Sequence, residues 1–71
     1  MRILLLGCGG NAGINFVKSL KMEDASITVI GVDISAYNLI SCNSDKRVLL
    51  KSTNDIDKVC EINKLIVDYD I

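Results

Sequence analysis

The fold of this chain is decided near its start, where the sequence reads Ile3-Leu4-Leu5-Leu6-Gly7-Cys8-Gly9-Gly10-Asn11-Ala12-Gly13. The unbroken apolar run over 2–6 predicts a strand buried in a parallel sheet, because strands with one exposed face alternate apolar with polar residues. Behind the glycines, one helix face is predicted by the spacing of Gly13, Phe16, Val17 and Leu20. The opening therefore predicts a strand, a tight glycine turn and a helix over about 11–22.

A second strand is predicted after this helix, over 27–33, where most residues are β-branched and the run closes on Asp33. Strand, helix and strand form a βαβ unit, and the right-handed rule for such crossovers places the two strands parallel and adjacent. A third, shorter strand is predicted over 46–50, with a charged start, Lys46-Arg47, that suits a sheet edge. We interpret the mixed, polar segment 34–45 as a loop with room for about one helical turn.

A second main helix is predicted over about 55–67. Its N-cap candidates are Ser52, Thr53, Asn54 and Asp55. Helical spacing, with a miss at Asn63, is kept by Ile56, Val59, Cys60, Ile66 and Val67. The predicted fold class is therefore α/β: a partial Rossmann-like three-layer unit with a parallel sheet in the order 3-2-1 and two main helices. The fourth strand of that fold is missing or just beginning at the C-terminus.

The length limits the domain organisation. With 71 residues the chain is about half as long as a common domain, so a separate substrate domain has no room. We expect residues 1–71 to form a single incomplete domain. Without a fourth strand beside it, the first strand becomes an exposed apolar edge that invites pairing with another chain. We therefore expect a fragment that is inactive alone, with self-association through the first-strand edge as a further expectation.

Composition excludes several classes of protein. Eight basic and nine acidic residues leave a net charge of −1, and the basic residues form no stripe, so we expect no nucleic-acid partner. The longest apolar run, Ile3 to Leu6, is far shorter than the roughly 20 residues of a membrane span. The start imitates a lipoprotein signal, but its apolar part is too short for export. We therefore expect no membrane partner and a cytoplasmic location.

The glycine loop between the first strand and the first helix is the candidate ligand site, formed by Gly7, Gly9, Gly10, Asn11 and Gly13. Gly7 can take the positive φ of a tight turn, while Gly9 and Gly10 lack the Cβ that would keep a phosphate or carboxylate from the backbone amides. The helix N-terminus adds partial positive charge. The absent side chain of Gly13 permits close packing against the sheet. The alternative is that these glycines only make a tight connection and bind nothing.

Two further residues beside the loop invite a chemical interpretation. Asp33 ends the second strand, where an acidic residue binds ribose hydroxyls in a dinucleotide site; the alternative is an aspartate that caps the loop. Cys8 lies near a helix N-terminus, a setting that lowers the pKa of a thiol. The chain has no histidine to act as its base, so a small residue that merely fits is favoured over a nucleophile.

The remaining polar residues predict no chemistry. Asn11 and Asn15 could cap the helix or contact a ligand, and we favour capping. The solvated face and end of the last helix account for Asp55, Asp57, Glu61, Asp68 and Asp70. The cysteines are an odd set of three without metal-binding spacing: Cys8, Cys42 and Cys60. Because histidine is absent, a zinc site lacks ligands, and we predict neither a metal site nor a catalytic residue.

Beyond these local patterns, the sequence resembles the N-terminal region of carbamoyl-phosphate-synthase-like ATP-grasp proteins. The resemblance is carried by residues 3–15, by Val17 and Leu20, and by the strand Val29-Ile30-Gly31-Val32-Asp33. It continues through Ser44-Asp45-Lys46 and the end Asp68-Tyr69-Asp70-Ile71, and so spans essentially the whole chain. Asn11 stands where that family often has a proline.

The resemblance implies a pre-ATP-grasp domain, which is Rossmann-like. The parent enzyme would be a ligase that activates a carboxylate as an acyl-phosphate at the expense of ATP and passes it to an amine or similar nucleophile. In that family ATP and Mg are bound by later domains, while the first domain braces the fold and contributes to the substrate site. The implied partners are the remaining ATP-grasp domains of the parent chain and a small-molecule substrate.

The alternative interpretation is the NAD-binding N-terminal segment of an extended short-chain dehydrogenase or epimerase. There the same glycines hold a pyrophosphate, and Asp33 binds the adenosine ribose and favours NAD over NADP. Proteins of this class have a catalytic Tyr-x-x-x-Lys pair much later in the chain. No such pair occurs within these residues.

Overall fold

The computed structural model describes residues 1–52 and 54–71. Along these residues the elements follow in the order β1 (Arg2–Leu6), α1 (Asn11–Glu23), β2 (Thr28–Asp33), α2 (Ala36–Ser41), β3 (Lys46–Leu49) and α3 (Asp55–Asp68). The predicted α/β class and its two main helices, α1 and α3, are confirmed, and every predicted boundary lies within one residue of the observed one.

The three strands form one parallel sheet in the order β1-β2-β3, which is the predicted order. Arg2 is paired with Thr28 across β1 and β2, and Ile30 with Lys46 across β2 and β3. The central strand β2 is buried over its last five residues, because it has a neighbour on each side and is apolar between Thr28 and Asp33. Strand β1 is exposed at both ends.

The outer edge of β1 has no strand partner among the described residues. The N–H of Thr28 donates to the carbonyl of Met1, and the N–H of Gly7 donates to that of Val32. Since backbone groups alternate in direction along a strand, the intervening Arg2, Leu4 and Leu6 direct theirs away from β2. The predicted exposed edge of the first strand is therefore present.

The hydrophobic core lies between α1 and the sheet. Val17, Ile27 and Val29 are buried there, and Ile3, Leu5 and Leu20 pack against them. Phe16 belongs to the predicted helix stripe but is 46% exposed. The line of contact runs through the buried Gly13 and Val17, and Phe16 lies to one side of it.

Two local predictions need correction. The segment interpreted as a loop contains the short helix α2, which begins because the Ser35 side chain caps it by accepting the N–H of Asn38 at 3.3 Å. Helix α3 turns its predicted apolar stripe outward, with Ile56 79% and Val67 77% exposed. Its half-buried residues follow another line at helical spacing, Lys58, Ile62, Leu65 and Tyr69. The period predicted the helix correctly but not the face that packs.

The ends of α3 are held by polar contacts. Asn54 is its N-cap and accepts the N–H of Asp57 at 2.8 Å; Thr53, another predicted candidate, lies outside the described residues. Glu61, expected on the solvated face, instead accepts the backbone N–H groups of Lys51 and Ser52. Asp70, beyond the helix, forms an ion pair with Arg2 at 3.1 Å. No fourth strand appears within the described residues.

Asp45 joins the start of β3 to the rest of the sheet. Its carboxylate accepts the N–H of the buried Val29 at 2.7 Å and pairs with the Lys21 ammonium at 2.8 Å. The Lys21 side chain and the Val29 N–H lower the pKa of Asp45 below its ordinary value.

No helix in the described residues is long and apolar enough to cross a membrane.

Candidate ligand site at the glycine loop

The glycine loop lies at the carboxyl end of β1, between that strand and α1. Gly7 has a φ of +74°, as predicted, a conformation that costs other residues about 1–2 kcal/mol. The N–H groups of Gly7 and Cys8 both donate to the carbonyl of Val32, at 2.7 and 3.2 Å. The loop is therefore tied to the end of β2 as soon as it leaves β1.

Gly13 allows α1 to approach this loop closely. A Cβ at Gly13 would lie 2.8 Å from the carbonyl oxygen of Gly7 and 3.0 Å from the Cα of Cys8. Gly13 does permit close packing, but against the backbone of the loop and not against the sheet as predicted.

Asp33 closes the loop from the opposite side. One carboxylate oxygen accepts the N–H of Gly9 at 3.2 Å, and the other accepts the N–H of Ser35 at 3.1 Å. The residue is only 7% exposed. Of the two interpretations made from the sequence, the loop-capping aspartate is the one that these contacts describe.

Burial alone would raise the pKa of Asp33, since it disfavours the charged form. The N–H groups of Ser35 and Gly9 and the side chain of Asn38 outweigh it, and the pKa of Asp33 lies below its ordinary value. The carboxylate is therefore ionised at neutral pH. It accepts the Gly9 N–H, which we had expected to be available to a ligand.

Helix α2 covers the same glycine. A Cβ at Gly9 would lie 2.5 Å from the carbonyl carbon of Asn38 and 2.6 Å from its Cβ. Gly9 is thus required by packing against α2. Asn38 was not predicted, because the segment 34–45 was interpreted as a loop; the available signal was Ser35, an N-cap residue three positions before Asn38.

The outer rim of the loop remains open. Gly10 is the N-cap of α1 without a side-chain hydrogen bond, and the first turn of α1 carries no acidic residue. Asn11 and Ala12 are exposed there. The prediction that Asn11 or Asn15 caps this helix is wrong, because both lie inside it. The Gly10 N–H donates to the Gly7 carbonyl at 3.4 Å, so the amides of Asn11 and Ala12 are the part of the predicted site that an anion can reach.

Cys8 is fully buried beneath the loop. Burial, followed by the hydrogen bond to Cys42, raises the pKa of the Cys8 thiol to about 12. The helix N-terminus does not overcome this loss of hydration, so the setting does not lower the pKa as expected. The structure supports the interpretation of Cys8 as a small residue that fits.

A pocket of about 290 Å³ opens beside Asp33, at the carboxyl ends of the strands. Its walls are mostly apolar and include Leu6, Val32, Leu50 and Ile62. Lys58 of α3 also borders the pocket. Ligands of open α/β sheets bind at this edge. Lys58 was not predicted as a site residue, because in the sequence it occurs among other scattered charges.

The described residues contain no group of three or more cysteine and carboxylate side chains able to hold a metal ion. Comparison with protein-family models, with curated proteins and with solved structures found no match for this chain. The interpretation of the site therefore depends on its own geometry and on the sequence motifs.

Proposed function

We propose that this chain is the pre-ATP-grasp domain of a carbamoyl-phosphate-synthase-like ATP-grasp ligase, inactive alone. In this role it braces the ATP-binding domains and adds the rim of its glycine loop to the substrate site. The observation that carries the proposal is the hydrogen bond between Asp33 and the Gly9 amide. This hydrogen bond gives the inner part of the loop a structural role. Such a role agrees with the sequence resemblance, which implies that the first domain of these enzymes braces the fold.

The same hydrogen bond weighs against the dinucleotide interpretation. A pyrophosphate site needs free loop amides, and a ribose site needs a carboxylate that the ligand can reach, whereas Asp33 is buried. Here the Gly9 amide and both oxygens of Asp33 are engaged, and Asn38 lies against Gly9. NAD would have to displace Asp33 and α2 together.

We assign ATP and Mg to the remaining ATP-grasp domains, because the sequence resemblance implies that later domains of such enzymes bind them. For this chain we retain only an anionic, small-molecule substrate at the exposed first turn of α1, Asn11 and Ala12, where the helix N-terminus favours negative charge.

The unpaired edge of β1 supports a role within a larger assembly. Leu6, at the end of this edge, is 54% exposed, and long apolar edges are covered in stable proteins. The remaining ATP-grasp domains are the partner that this proposal supplies. Pairing between two copies of the chain through the same edge stays a prediction.

The test compares two polypeptides, the isolated chain and the product of the complete reading frame in which it occurs. We expect release of ADP and phosphate from the complete product, dependent on a carboxylate substrate, and no ATP turnover by the chain alone. In parallel, the amide resonances of Gly9 and Gly10 are followed by NMR during addition of NAD or ATP to the isolated chain.

We expect neither nucleotide to shift the Gly9 amide in a saturable way. Turnover of ATP by the isolated chain would contradict the proposal. Saturable shifts with NAD, without an effect of ATP, would instead support the oxidoreductase interpretation.

A further inference from the structure

Two of the three cysteines meet beneath the glycine loop. Cys8 lies in the loop itself, and Cys42 is the C-cap of α2; they are 0% and 7% exposed. Cys8 lies above Gly31 of β2, where a Cβ would come within 2.7 Å of the Cβ of Cys8 and 2.8 Å of its sulfur. The same missing side chain makes room for the Ser44 hydroxyl.

The two thiols have Ser44 as a common neighbour. The Cys42 Sγ lies 3.2 Å from the Ser44 Oγ, and the Ser44 Oγ borders the same space above Gly31 as the Cys8 sulfur. Cys60, the third cysteine, is exposed on α3. The fold therefore brings together two residues 34 positions apart (42 − 8) and keeps the third away.

The two thiols differ in acidity. Burial and the hydrogen bond to Cys42 raise the pKa of Cys8 to about 12. Burial acts in the same direction on Cys42, but hydrogen bonds from Cys8 and Ser44 outweigh it and lower the pKa of Cys42 below its ordinary value. Cys42 is accordingly the first to ionise, and the thiolate is the nucleophile in disulfide exchange.

We propose that Cys8 and Cys42 are a redox-active dithiol that a low-molecular-weight disulfide, such as glutathione disulfide, oxidises to an intramolecular disulfide. The Cys42 thiolate attacks one sulfur of glutathione disulfide, forming a mixed disulfide and releasing one glutathione thiolate. Cys8 then loses its proton, and its thiolate attacks the Cys42 sulfur and releases the second glutathione. The protein is oxidised by two electrons, and one glutathione disulfide is reduced to two thiols.

Helix α2 provides the access that buried thiols need. It has six residues, none of them buried, and elements with so little packing open locally at low cost. Opening of α2 exposes Cys42, the attacking thiol. Once formed, the disulfide ties the glycine loop to the end of α2 and holds Asn38 over Gly9.

The experiment uses the full chain with its three cysteines. The native chain and the chain unfolded in urea are incubated with glutathione disulfide, quenched in acid, treated with trypsin and analysed by mass spectrometry. Cleavage at Arg2, Lys18, Lys21 and Lys46 separates the two cysteines into peptides 3–18 and 22–46. In the native chain we expect these two peptides to be linked, with a mass lower by two hydrogen atoms than the sum of the reduced peptides.

Cys60 is the internal control. We expect the link between Cys8 and Cys42 to exceed either link to Cys60 by about tenfold or more in the native chain, because two thiols held in the same buried region have a high effective concentration. In urea the three links should approach a statistical mixture. In the Cys8→Ser variant, Cys42 should instead retain one glutathione.

Two outcomes overturn the proposal. One is separate glutathione adducts on Cys8 and Cys42 of the native chain, or the same mixture of links as in urea. The other is a linked product that has lost the far-ultraviolet circular dichroism of the reduced chain, which would mean that the disulfide forms only after unfolding.

Discussion

Replacing Gly9 with alanine tests the packing of α2 on the glycine loop. The new methyl group would lie 2.5 Å from the carbonyl carbon of Asn38 and 2.6 Å from its Cβ, whereas carbon atoms prefer about 3.5–4.0 Å. The loop or α2 must therefore move by about 1 Å. Overpacking of this kind costs about 1–3 kcal/mol.

The movement also acts on the hydrogen bond between the Gly9 N–H and Asp33. A hydrogen bond to a charged group contributes about 1.5–3 kcal/mol. The more restricted unfolded chain of the alanine variant returns about 0.4–1 kcal/mol. We therefore expect the free energy of unfolding to fall by about 2–5 kcal/mol, a large part of the roughly 4–10 kcal/mol that a domain of this length has in total.

The assay is equilibrium unfolding in urea, followed by far-ultraviolet circular dichroism. Gly10→Ala is the matched control, because a Cβ at Gly10 has only the Gly7 carbonyl near it, at 3.9 Å. We expect this control to change the free energy of unfolding by less than about 1 kcal/mol, since a poorer N-cap is offset by a more restricted unfolded state. Equal urea midpoints for the two variants would refute the contact between α2 and Gly9.

Three further predictions follow from the polar contacts and from the outer face of α3. Asp33→Asn should lower stability at neutral pH by about 1–3 kcal/mol, because an amide donor then faces a backbone N–H. Because the folded pKa of Asp33 is lowered, its contribution is present above the unfolded pKa of about 3.9 and is lost as pH falls through the folded value. Urea midpoints measured against pH should therefore fall more steeply below about pH 4 in the native chain than in the variant; parallel curves would contradict this. Asn54→Ala should cost about 0.5–2 kcal/mol through loss of the N-cap of α3, whereas Asn63→Ala, on an exposed position of the same helix, should not destabilise; equal losses would refute the cap. Ile56→Lys, at a residue 79% exposed, should change the thermal midpoint little, while Ile62→Lys, in the wall of the pocket, should lower it clearly; the reverse order would mean that α3 packs through its other face.

Much of the fold is determined locally, and such features are readable from the sequence alone. The apolar run at residues 2–6 predicts a buried strand, and the glycines after it predict a turn with positive φ at Gly7, because only glycine adopts that conformation without cost. Helical spacing locates α1 and α3 to within one residue. The crossover rule then sets the parallel order of the strands.

The sequence was less informative wherever a contact joins residues far apart in the chain. The same helical period is satisfied by either face of α3, and the choice of Ile62 over Ile56 depends on which face meets the sheet. The role of Asp33 is of the same kind. A carboxylate at the end of a strand suits a ligand or a cap equally well, and only its distance to the Gly9 amide distinguishes them.

The features of the site therefore fall into two groups, those set by local sequence and those set by contacts between residues far apart in the chain. The sequence by itself determined that a glycine loop connects β1 to α1 at the carboxyl edge of a parallel sheet, because strand, turn and helix signals act over a few residues. Tertiary structure alone decided that Asp33 fills the inner amide, that α2 covers Gly9, and that Cys8 meets Cys42. These contacts depend on distances across the folded chain, which no short sequence pattern encodes.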